Sequence, residues 1–192
     1  LTSIAAKNYF SQGGNSLLVA RVVTGSFSAA SSTHISASAQ SSTQPFTLQT
    51  IGKGDVYNNH SGHLTGSISQ NSDSSLTLGT QDNLRWEISN VSNAKGTFTL
   101  SVRRGDDNLK SKIVLETFNN LSLDPNSPNY IEKIVGNQVK AIAGTADHIT
   151  TTGEYVNRSR YIRVASVNLP TLNYIGNNGL IRLGSASGSL PT

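Results

Sequence analysis

The sequence predicts a mainly β protein of the α+β kind, with an antiparallel β-barrel or sandwich domain inserted in a second α/β domain that carries short helices. Three observations predict it. Hydrophobic residues make up 35% of the 192 and charged residues 14%, with Ser, Thr, Asn and Gly abundant, a balance suited to short strands and polar turns. Several short runs alternate apolar and polar residues, and only two short stretches have helical spacing.

Taken in order, Ile4, Ala5, Ala6, Tyr9 and Phe10 recur at helical spacing behind Thr2 and Ser3, and Gly13-Gly14 supplies a stop, so a helix is expected over 3–11. Ser16 to Val23 is a nearly continuous apolar run of strand length, as expected of a strand buried on both faces. Between Gly25 and Gln44 the chain is small and polar, dominated by Ser and Ala, which predicts a linker and a domain boundary. Phe46–Ile51 then alternates cleanly, followed by runs at Leu64–Ile68, Leu76–Leu78, Leu84–Ile88, Thr97–Val102 and Lys112–Glu116. Past Pro125 and Pro128, Asn129–Val135 is predicted as a two-turn helix closed by Gly136-Asn137. Tyr161–Val164 is a further strand, and the Gly- and Ser-rich tail from Leu183 is expected to fray. The predicted domains are a helix–strand unit at 1–24, a protruding β domain at 25–113 and an α/β domain at 114–192, the first and last forming one unit.

A chain of this length can bury a core without disulfides or metals, and it has no cysteine, so disulfides, thiolate metal sites and thiol nucleophiles are excluded. The formal charge of +4 is spread along the length rather than gathered into a nucleic-acid footprint. No apolar run approaches the ~20 residues that span a bilayer. The chain neither begins with nor contains methionine, and its first residues lack signal-peptide features, which predicts a fragment or processed piece.

Constellations that carry chemistry are sparse. His34, His60, His63 and His148 lie in no nucleophile motif, and no Gly-x-Ser-x-Gly elbow occurs. His60-x-x-His63 offers two imidazoles, with Asp55 or Asp73 as recruits, but Asn58, Asn59, Ser61 and Gly62 around it read as a turn. Carboxylates for glycoside hydrolysis are to be sought among Asp106, Asp107, Glu116 and Asp124. Arg103-Arg104-Gly105-Asp106-Asp107 reads as a solvated, charge-rich turn whose Gly permits positive φ and whose acids partly neutralise the arginines. It contains Arg-Gly-Asp, a tripeptide too short to weigh. The basic clusters Arg103, Arg104, Lys110, Lys112 and Arg158, Arg160, Arg163 have modest aromatic company and read as strand faces, or as partners for acidic patches of neighbouring copies. Asn-x-Ser triplets stand at Asn59, Asn90, Asn120 and Asn157, a number that chance supplies in so Asn- and Ser-rich a chain. No catalytic, cofactor-binding or metal-binding residue is assigned.

Lys95 to Asp107, then Leu115 to Pro125 and Asn129-Tyr130-Ile131, form a long ordered pattern that resembles the tail sheath protein of contractile-tailed bacteriophages, particularly that of large myoviruses. Ala6–Gly14 before Leu18–Val23 looks like that family's helix, Gly-Gly turn and core strand, and Asn83–Glu87 and Gly153–Tyr161 are similar as well. The resemblance implies a structural virion protein and no enzyme. It implies an outer, N-terminal fragment of a subunit whose copies form a helical sleeve around the tail tube, made in the bacterial cytoplasm. Contraction of the sleeve drives the tube through the host envelope. The implied partners are other copies of the chain, with tube and baseplate reached through regions outside it; neither nucleic acid, membrane nor cofactor is required. Two other readings follow from the residues alone: a surface adhesin or glycan-binding module using loop aromatics such as Tyr57 and Trp86, and a polysaccharide-degrading enzyme using the carboxylates named above. Trp86 sits in an alternating strand and reads as core.

Overall fold

A computed structural model describes residues 2–16, 29–33, 45–53, 73, 75–76, 79–142, 149–168, 170–182 and 190. The elements are α1 (Thr2–Ser11), β1 (Ala29–Thr33), β2 (Phe46–Lys53), β3 (Leu84–Ser92), β4 (Thr97–Arg104), β5 (Val114–Ser122), α2 (Ile131–Val135), β6 (Val139–Ile142), β7 (Ile149–Thr152) and β8 (Ile162–Val167). Two three-stranded sheets, in the orders β1-β2-β8 and β3-β4-β5, and the hairpin β6-β7 are all antiparallel. The fold is mainly β; the described residues include two short helices, and the described strands do not close into a barrel.

Alternation decides which face of the central sheet is buried in apolar surroundings. On β4, Phe98, Leu100 and Val102 are fully buried on one face, while Thr99, Ser101 and Arg103 are buried on the other, so the strand is covered on both sides. The apolar face joins Trp86, Leu121 and Leu123 with Phe46 and Leu48 of β2, Ile162 and Val164 of β8, and Ile131 and Val135 of α2 in one core. The Phe46 ring stacks on Phe98 at 5.8 Å and 4° and lies 5.6 Å from Trp86, joining the two three-stranded sheets. Burying side chains of this size stabilises a fold by about 1.5–3 kcal/mol each.

That core takes residues from both sides of position 113, and β5 pairs with β4 across it. A strand, β1, lies within the stretch expected as linker; its small residues carry no apolar alternation, and pairing with β2 makes it a strand. The run at Lys112–Glu116 starts its strand at Val114 and continues to Ser122. Helix α1 begins one residue before its predicted start. Helix α2 begins at Ile131 rather than Asn129, because Tyr130 is extended (φ −56°, ψ 133°) and forms a parallel bridge with Ser122. Most of the expected strand at 16–23, the run at 64–68 and most of the tail lie outside the described residues.

Two bends in the central sheet explain asparagines that composition leaves unaccounted for. The β3–β4 register shifts between Ser89 and Ser92 and the β4–β5 register shifts between Phe98 and Leu100; Asn90 and Asn120 sit at these bulges with φ of 50° and 56°. Asn tolerates the left-handed region better than other side-chain-bearing residues. Two of the Asn-x-Ser triplets thus fall where the backbone itself selects asparagine.

Candidate functional site

The register of β3 and β4 sets Arg85 directly opposite Arg103, an arrangement that repels unless an anion stands between the two guanidinium groups. Asp107 supplies it. Arg103 donates from Nε to Asp107 Oδ2 at 2.6 Å and from Nη2 to Oδ1 at 2.8 Å, and Arg85 Nη1 reaches Oδ1 at 3.2 Å and the Asp107 carbonyl at 3.0 Å. The Ile113 N–H donates to Oδ2 at 3.0 Å, so the carboxylate meets three donor groups while wholly out of solvent. From this buried end the network runs outward: Arg103 Nη1 donates to Glu87 Oε2 at 2.8 Å, and Glu87 accepts from Lys112 Nζ at 2.9 Å, at the exposed rim. Burial lowers the Arg85 pKa, Arg103 pushes the same way, and Asp107 opposes.

Arg103 and Asp107 are therefore not part of a solvated turn, as the sequence suggested; only Arg104 and Asp106, paired with each other near the surface, fit that expectation. Gly105 does not adopt positive φ. It is needed for close approach: its N–H donates to Asn83 O at 2.7 Å, and a Cβ would lie 2.4 Å from that of Asn83. With Arg104 bound to Asp106 and Gly105 buried, the Arg-Gly-Asp letters are folded onto themselves.

A second polar assembly joins β5 and α2 to residues 153–164. Ser159 Oγ donates to Glu116 Oε2 at 2.6 Å and accepts from the N–H groups of Tyr161 and Ile162, while Arg160 N donates to Glu116 Oε1 at 3.0 Å. Asn157 pairs its amide with both backbone groups of Gln138 at 3.0 and 2.8 Å, and Asn137 Oδ1 accepts from Tyr155 N at 2.8 Å. Gly136 (φ +105°) lies so close that a Cβ would stand 2.3 Å from Asn157 Cα. Asn137 also donates to Glu132, whose carboxyl is lifted above its ordinary value by burial.

These placements account for most of the candidate groups. Glu116 serves the Ser159 clasp, Asp124 accepts from Asn126 N, and Asp73 accepts from Ser75. Arg163 donates to Gln49, Arg158 and Arg160 are exposed, and Trp86 is in the core, so it presents no glycan platform. His34, Asp55, Tyr57, Asn58, Asn59, His60, Ser61, Gly62, His63 and His148 lie outside the described residues. Among the described residues no three His, Cys, Asp or Glu side chains gather as a metal site, and no helix is long and apolar enough to cross a membrane. Arg85, Glu87, Ser159 and Asn137 escaped assignment, because their importance lies in register and long-range pairing rather than in local spacing.

Comparison with family models, with curated proteins and with solved structures returns no match. The geometry offers one buried and one half-buried polar frame against a shared core.

Proposed function

We propose that this chain is a structural building block, part of the outer region of a phage contractile tail sheath, which acts by assembling with copies of itself. The observation that carries the reading is the meeting of three sequence stretches that resemble the sheath family. Residues 83–107 pair with 115–138 as strands β4 and β5, and 115–138 is joined to 153–163 by Glu116 to Ser159, by Asn137 to Tyr155 and by Gln138 to Asn157, around a shared core. Stretches far apart in sequence thus make one braced body, as a subunit that transmits force requires.

A sheath stores free energy in interfaces with two arrangements and releases it when subunits slide and rotate. Such work reaches the tube only if each subunit moves without deforming. The Arg85–Asp107–Arg103 frame and the Asn137–Asn157 clasp oppose that deformation, because opening either strands polar groups away from water. Copies of the chain are the partners, the tube and baseplate are met by other regions of the protein, and the place of action is the virion.

Sedimentation of the protein over a range of concentrations tests the reading. Polymers that grow with concentration are expected; a single monomeric boundary at every concentration would overturn it.

A further inference from the structure

Residues 174–182 form a small exposed loop held by backbone bonds from Gly176 N to Leu180 O at 2.8 Å and from Arg182 N to Tyr174 O at 3.1 Å, with Ile175 bridged to Ile181. Tyr174 anchors it: the side chain is buried, its hydroxyl donates to Asn93 O at 2.6 Å, and it packs on Gly96, where a Cβ would lie 2.4 Å from the ring. At the tip, Asn178 and Gly179 are exposed, and theirs is the single Asn-Gly step in the sequence. Gly179 has φ +75° and nothing within 4 Å of where a Cβ would be. Asn178 Oδ1 accepts from Leu180 N at 3.1 Å, which turns the side-chain carbonyl back over the Gly179–Leu180 peptide and polarises it.

We propose that Asn178 is a site of spontaneous modification, converting through a cyclic imide to aspartyl and isoaspartyl forms. The Gly179 nitrogen gives its proton to hydroxide and forms a bond to Asn178 Cγ; the side-chain nitrogen of the tetrahedral centre takes a proton from water and leaves as ammonia, returning hydroxide and leaving a five-membered ring. One water then opens either ring carbonyl, giving the normal aspartyl or the isoaspartyl linkage, with no oxidant or cofactor involved. Glycine favours ring closure because no Cβ obstructs the attacking nitrogen. The Gly179 N–H donates to Gly176 O at 2.9 Å, so attack waits on local opening of the tip, which an exposed turn permits far more often than the core does. The product adds a negative charge at the loop tip and, in the isoaspartyl form, a backbone methylene in the loop anchored by Tyr174. This inference is independent of the sheath reading.

Peptide mapping of the intact protein, aged in mildly alkaline and in mildly acidic buffer and digested in acid, tests it. The peptide carrying Asn178 is expected to gain the mass of amide-to-acid conversion and to split into two chromatographic isomers, with oxygen-18 taken up when aged in labelled water. Conversion at Asn178 should run roughly tenfold faster than at the exposed Asn126-Ser127 step, since serine carries the Cβ that glycine lacks. It should also be faster in the alkaline buffer, and in G179A it should fall to the Asn126 rate. Conversion no faster than at Asn126 in the unsubstituted protein, or a single isomer without label, would overturn the proposal whatever G179A does to the loop.

Discussion

Arg103 grips Asp107 through two parallel hydrogen bonds of 2.6 and 2.8 Å, and both side chains lie out of solvent on the polar face of the central sheet. Three residues separate them in sequence, and the turn between brings the carboxylate back under the strand that carries the arginine. The pair forms because β4 faces β3 with arginine opposite arginine, and Asp107 relieves that repulsion.

Removing the anion is therefore the severe change. D107N leaves two buried guanidinium groups without their shared counter-charge, and the expected loss is about 3–5 kcal/mol of stability. Denaturant unfolding checks it. D106N, at the exposed neighbour, is the control and should leave the midpoint unmoved.

The clasp around Gly136 gives a second expectation. G136A places a Cβ against the Asn157 backbone at a φ of +105°. The left-handed conformation alone costs about 1–3 kcal/mol, and the contact adds to that. Hydrogen exchange should show faster opening at Asn137, Gln138 and Tyr155, whose amides the clasp protects.

The bulge asparagines separate a backbone role from a side-chain role. N90G and N120G should fall within about 0.5 kcal/mol of the parent, whereas N90V and N120V should each cost about 1–2 kcal/mol, because a β-branched residue resists positive φ. Thermal unfolding distinguishes the two pairs.

The Ser159 hydroxyl holds three groups at once. S159A leaves the Glu116 carboxylate and the Tyr161 and Ile162 N–H groups short of a partner, with an expected loss of about 1–3 kcal/mol. If chemical denaturation finds no loss, the clasp does not brace β5 against β8.

Glu132 supplies the pH dependence. Burial raises its carboxyl above 4.5, the Asn137 hydrogen bond partly opposes this, and Glu154 adds to the rise. A carboxyl raised in the folded state favours folding most when protonated. Its contribution is fully present below the unfolded value and is lost as pH rises through the folded one. E132Q should thus be slightly more stable than the parent at neutral pH, by no more than about 0.5 kcal/mol given the partial exposure, and the difference should vanish in acid. Melting curves across that range check the sign.

Strands β2, β3, β4 and β8 were legible because alternation and burial coincide: Phe46 and Leu48, Phe98 and Leu100, and Ile162 and Val164 mark the inner face residue by residue. The four-residue strands β6 and β7 were not, since Val139-Lys140-Ala141-Ile142 and Ile149-Thr150-Thr151-Thr152 are too short to establish a period. The charged frame was half legible. Arg103 and Asp107 stand out as letters, but their burial depends on Arg85 and on a register that one sequence does not display.

The central claim is assembly, and electron microscopy of the protein tests it most directly. Regular hollow tubes with a helical repeat are the predicted result, lost when D107N unfolds the frame. A folded parent protein that forms no tubes under any assembly condition would contradict the account.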